Sequence, residues 1–103
     1  MYIVVFVTAP DKKVAKNIAQ QVIKNKLAAC VNIIENVQSL FWWEGKIDAA
    51  CEALLVIKTR KALLHKLIKK IKSLHSYEVP EIIALPIIAG NKEYLEWIDE
   101  SAR

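Results

Sequence analysis

Glycine, proline and cysteine are scarce in this 103-residue chain, with two, three and two of each. No phosphate-cradling GxxxxGK[S/T] loop, no GxGxxG turn and no GxSxG elbow occurs, so sites built on those glycines are excluded. Ser39, Ser73, Ser76 and Ser101 have no evident base partner in the sequence, and the expectation is a protein that is not an enzyme. Cys30 and Cys51 do not form a CxxC pair, which argues against a structural zinc site or a dithiol redox centre. No run approaches the ~18 consecutive apolar residues of a membrane span. The apolar start Tyr2–Val7 is too short for a signal-peptide core, and no basic region precedes it. A cytoplasmic address with reduced thiols is therefore expected. Internal repeats, low-complexity tracts and linkers are absent, and the length fits one domain, residues 1–103.

What the chain has in excess is apolar side chains, at 54%, against ~45–50% for an average soluble domain. Fifteen basic and eleven acidic residues leave a formal charge of +4. So mild a balance favours solubility and does not identify a nucleic-acid partner.

The pattern along the chain predicts β-α-β-β-α-β and a terminal helix. Tyr2–Thr8 is an apolar run rich in β-branched residues and reads as a buried strand. Asp11, after Ala9-Pro10, is placed to cap a helix in which Val14, Ala15, Ile18, Ala19, Val22 and Ile23 recur at helical spacing. Ala29–Phe41 reads as a second strand, interrupted at Glu35-Asn36. Gly45, in Trp42-Trp43-Glu44-Gly45-Lys46, supplies the positive φ of a hairpin turn. Cys51–Thr59 reads as the third strand. Arg60 to about Leu74 reads as the second helix, with Leu64, Leu67, Ile68 and Ile71 on one stripe. Ile82–Ile88 is the fourth strand, and Pro86 predicts an edge or a bulge there, because it cannot donate to a ladder. The closing helix should turn Leu95 and Ile98 inward. The resulting α+β class is the ferredoxin-like βαββαβ arrangement: an antiparallel sheet, two helices on one face and an additional C-terminal helix.

Two helices cover only one face of such a sheet. The other face should alternate with polar residues if it meets water. Instead Ile3–Val7, Ala53–Ile57 and Ile82–Leu85 are apolar on both sides. Each such side chain left in water forgoes roughly 1.5–3 kcal/mol of burial, and together they form a patch larger than monomers usually expose. About ten residues of terminal helix are too few to cover a sheet, so self-association is expected.

Several segments resemble, in order, the signature segments of the CutA family: Thr8-Ala9-Pro10-Asp11, Lys26–Asn32, Trp42–Lys46, Ile57-Lys58-Thr59, His75–Glu81 and Asn91–Trp97. The resemblance implies a homotrimer of ferredoxin-like subunits, similar in architecture to PII-type signalling proteins. It also implies an association with tolerance to copper and other divalent metals, with no required cofactor. Copper ligation in some family members by a cysteine and two adjacent histidines corresponds here to Val7, Leu74 and His75. One ligand type of three is kept, and Ser76 replaces the usual following proline. The resemblance further suggests that Glu44, Lys58, Tyr77 and Glu81 line a cleft between subunits.

Each candidate has two readings. His75 is either a weak copper or zinc ligand or a side chain favoured near a helix C-terminus; His65 is too far along the helix to share its ion. Cys30 is either an interface residue or a small buried hydrophobe. Trp42 and Trp43 form either a recognition platform or anchors of the subunit interface, the latter favoured by the area they can bury. The lysines of the second helix face either a polyanion or water, the latter favoured because acidic residues elsewhere nearly balance them. RNA binding in the style of ferredoxin-like domains needs aromatics on a central strand, and Cys51–Thr59 has none. The expected partners are copies of the chain itself and a divalent cation, not nucleic acid or membrane. The alternatives are a trimeric interaction scaffold, or a PII-like small-molecule sensor, for which the hairpin Trp42–Lys46 is short.

Overall fold

The computed structural model describes all residues, Met1–Arg103. Strand β1 (Tyr2–Ala9) leads to helix α1 (Lys12–Lys24), then to strands β2 (Cys30–Trp43) and β3 (Lys46–Arg60). A 3₁₀ turn (Lys61–Leu63), helix α2 (Leu64–Leu74), strand β4 (Ile82–Ile87) and helix α3 (Lys92–Ser101) follow. The strands form one antiparallel sheet in the order β2-β3-β1-β4, as the ferredoxin-like reading requires.

Local chemistry sets the element ends. The Asp11 carboxylate accepts the Val14 N–H at 2.8 Å and caps α1, satisfying a donor that has no partner inside the helix. The pairing of β2 with β3 shifts register between Ile34 and Val37, with Asn36 at φ 60°: the interruption at Glu35-Asn36 is a bulge. Pro86 lies in the outer strand β4, opposite Ile3, where its missing N–H breaks no ladder on the free side.

One expectation fails. The third strand starts at Lys46, not Cys51, and β2 continues to Trp43. Ile47–Ala50 has too little β-branched character to declare a strand by itself. Pairing with Ser39, Leu40, Phe41 and Trp42 draws it into the ladder. The turn is only Glu44-Gly45, both with positive φ (49° and 76°), which suits the twist of a two-residue hairpin. It caps a long arm, and the chain reaches 44 Å along its main axis.

Alternation divides the sheet into two faces. Ile3, Val5, Val7 and Ala9 of β1 and Ala53, Leu55 and Ile57 of β3 point to the helices. There they meet Ala15, Ile18, Ala19 and Val22 of α1 and Leu67 and Ile71 of α2. The buried Thr59 hydroxyl donates to the Leu27 carbonyl at 2.7 Å.

The other face holds Val4 and Phe6, Leu54 and Val56, Ile83 and Leu85, and Ile34, which are neighbours across the register. Helix α3 lies over one end of it. Its Asp99 accepts from the Tyr2 hydroxyl, the Ala102 carbonyl accepts from Arg60 Nε at 2.7 Å, and Ile98 is buried beneath it. The rest stays open: Ile34, Ile83 and Leu85 are 49, 50 and 43% exposed.

Candidate functional site

Chemistry-bearing residues gather in three places. The first is the corner where α2 ends. His75 is the C-cap of α2, its backbone N–H bonded to the Ile71 carbonyl. Its Nε2 lies 2.7 Å from the Thr8 carbonyl oxygen. A carbonyl only accepts, so Nε2 carries the proton and donates. Nδ1 then holds the free lone pair of the neutral ring, and it accepts the Tyr77 N–H at 3.0 Å. Both ring nitrogens are thereby occupied. A metal ligand needs an open lone pair, so His75 in this conformation does not offer one.

Tyr77 lies against the His75 ring, centroid to centroid 4.8 Å, and its hydroxyl donates to the nearly buried Glu52 carboxylate at 2.8 Å. Burial first, then the Glu52 hydrogen bond and charge, with Asp11 adding to them, push the Tyr77 phenol up to about 12. Because the folded value is raised, the stability this group contributes is present below the ordinary tyrosine value of ~10 and is lost as pH rises from there to about 12. In a phenolate-absorbance titration, subtracting Tyr77→Phe from wild type should isolate a transition near pH 12, and Glu52→Gln should move it down. A Tyr77 transition at the ordinary tyrosine value would remove this hydrogen bond from the solution structure.

The second place is on the open face, under α3. Cys30 sits directly opposite Lys58 in the β2–β3 register, and Asn32 is two residues along the same face. The Lys58 ammonium donates to the Asn32 side-chain carbonyl and lies 3.9 Å from Cys30 Sγ; the Cys30 thiol is 3.7 Å from the same Asn32 oxygen. Tyr94 of α3 adjoins this group, its phenol raised by burial and then by Cys30. Trp97 is tilted against Tyr94, with ring centroids 5.4 Å apart. A cation, an amide and a thiol beside two aromatic rings can hold a small polar or anionic group.

The third place is the tip of the arm. Trp42 and Trp43 are 74 and 61% exposed there, with Glu44 in the turn. Cys51, farther down the arm, is exposed and free.

Within one chain these places stay apart. Lys58 and Glu52 are six residues apart along β3, roughly 20 Å at ~3.3 Å per residue, and Glu44 is farther still. Glu81 is exposed just before β4. A cleft holding Glu44, Lys58, Tyr77 and Glu81 together requires a second subunit. Nowhere do three His, Cys, Asp or Glu side chains gather as a metal ion would need, so a single chain does not fit a resident metal.

Sequence reasoning missed Glu52, Asn32 and Tyr94 as parts of these groups. Asn32 carried a signal: a polar residue on an apolar strand, in phase with Cys30. Glu52 and Tyr94 carried none, because their partners come from β3 pairing and α3 docking.

The sequence model described as CutA1 divalent ion tolerance protein matches residues 3–101. A protein of Oryza sativa subsp. japonica, Protein CutA 1, chloroplastic, is 52% identical over 101 residues, covering 98% of this chain and 57% of that protein. The Divalent-cation tolerance protein CutA of Archaeoglobus fulgidus is 46% identical over 101 residues, with 98% of each covered. The chain thus spans little more than half the length of its plant relative and nearly all of the archaeal one. The solved structure of the divalent cation tolerance protein (Cut A1) from Thermus thermophilus superimposes with a TM-score of 0.98 at 44% identity, covering 100% of both chains.

Proposed function

Because the chain belongs to the CutA1 divalent ion tolerance family, we propose that it is a non-enzymatic homotrimer that responds to divalent cations, copper among them. In this reading any ion or small ligand is held between subunits. The observation that carries it is the half-open apolar sheet face, seen together with ligand-type residues that no single chain brings together. Association would cover Phe6, Val56, Ile83 and Leu85 and could carry the aromatic arm tip of one subunit to the Cys30–Lys58 group of another. Reduced Cys30 and Cys51 in a cytoplasmic setting belong to the same proposal.

The test is calorimetric titration of the assembled protein with copper and with zinc. Binding tighter than about millimolar, worth only ~4 kcal/mol, supports direct cation sensing. Since both His75 nitrogens already have partners, His75→Ala is expected to change the copper affinity less than twofold. A tenfold loss would put His75 back in the site. The same occupancy of His75 favours a second reading, a trimeric scaffold for a protein partner, which failure to bind either metal at millimolar concentration would support.

A further inference from the structure

The net charge of +4 conceals a strong separation. Residues 12–26 contain five lysines and residues 61–75 another five, with no aspartate or glutamate in either segment. These ten positive charges face a net of six negative charges in the rest of the chain. The first segment is α1 with its exit turn and the second is the 3₁₀ turn with α2 and its C-cap, so the positive charge sits on the helical layer. The balance read from the sequence is global, not local.

Within this layer Lys66, Lys69, Lys70 and Ser73 stand at i, i+3, i+4 and i+7, one stripe of α2. With Asn25 and Leu27 at the exit of α1 they line a shallow, open cleft of about 370 Å³. No carboxylate lines it, and the two ion pairs of the chain, Lys12–Glu35 and Lys92–Glu96, leave all three lysines unpaired. Like charges at this spacing weaken a helix. A merely solvated helix face normally intersperses both signs, and this one does not.

We propose that this cleft binds a linear polyphosphate group, either free or as the tail of a nucleotide. The stripe from Lys66 to Ser73 is about 10 Å long at the helical rise, enough for a short row of phosphates, and the cleft is within the range of small-ligand sites. Lysines present point charges without the planar fork of arginine, so they read charge density rather than geometry. The cleft has no aromatic side chain on which a base could stack. Asn25 and Ser73 also line it, with the Asn25 amide donating to the Gln21 carbonyl at 2.7 Å and the Ser73 hydroxyl to the Lys70 carbonyl at 2.6 Å, so the lysines are what an anion would meet. The helical layer lies opposite the open sheet face, so occupancy of the cleft does not depend on the cation reading.

The experiment is calorimetric titration of the full chain with inorganic tripolyphosphate. Saturable binding is expected. Binding should weaken as salt rises from about 50 to about 200 mM, because exposed charges are screened. The variant Lys66→Gln/Lys69→Gln/Lys70→Gln should lose at least tenfold, whereas Lys12→Gln/Lys13→Gln/Lys16→Gln, which removes the same charge from the start of α1, should lose less than twofold. Thermal unfolding of both variants checks that each remains folded. Adenosine triphosphate binding as tightly as tripolyphosphate supports recognition of the phosphate row. The proposal is overturned if the two triple variants weaken binding equally, if no saturable binding occurs, or if duplex DNA or anionic vesicles bind more tightly through the same lysines.

Discussion

Leu85→Glu is expected to convert the proposed trimer into folded single subunits. Leu85 lies on the open sheet face, paired across β1 with Val4, and is still 43% exposed in the isolated chain. The subunit therefore tolerates a carboxylate there, facing water. An assembly does not, because burying an unpaired charge against Phe6, Val56 and Ile83 of a neighbour costs several kcal/mol. Light scattering at micromolar concentration should give three subunits for wild type and one for the variant, with unchanged far-ultraviolet circular dichroism. A wild-type protein that scatters as a single subunit would sink the assembly, and the inter-subunit cation site with it.

The opposite face carries the largest effect on folding. Ile57→Ala should destabilise the subunit by about 2–5 kcal/mol, the range for removing a fully buried aliphatic side chain and leaving a cavity. Ile57 is fully buried, opposite Val5 on one side and Val31 on the other. Denaturant unfolding in the Leu85→Glu background separates this loss from the concentration-dependent contribution of assembly. In that background Val56→Ala, one residue away on the open face, should cost distinctly less. Equal losses at the two positions would mean that the faces are assigned wrongly.

The contrast between Ile57 and Val56 shows where sequence reasoning ends. Both belong to one uninterrupted apolar run, which says that both sides of β3 want burial but not what buries each side. The structure puts α1 and α2 over Ile57 and leaves Val56 half-buried on the open face. Likewise Lys58 stands out in the sequence as a charge ending that run, while its neighbours Cys30 and Asn32 follow only from the β2–β3 register.

The order of elements, the Asp11 cap, an interruption at Glu35-Asn36, an edge or a bulge at Pro86 and the doubly apolar strands were all legible in the sequence alone. Each rests on interactions within a few residues or on a side-chain period, and both are local. The tertiary structure alone decided the length of the arm, because Ile47–Ala50 becomes a strand only through its partner. It also decided the proton position on His75, held by the carbonyl of Thr8, and the docking of Tyr77 on Glu52. Long-range contacts depend on register and chain closure, which no local periodicity encodes.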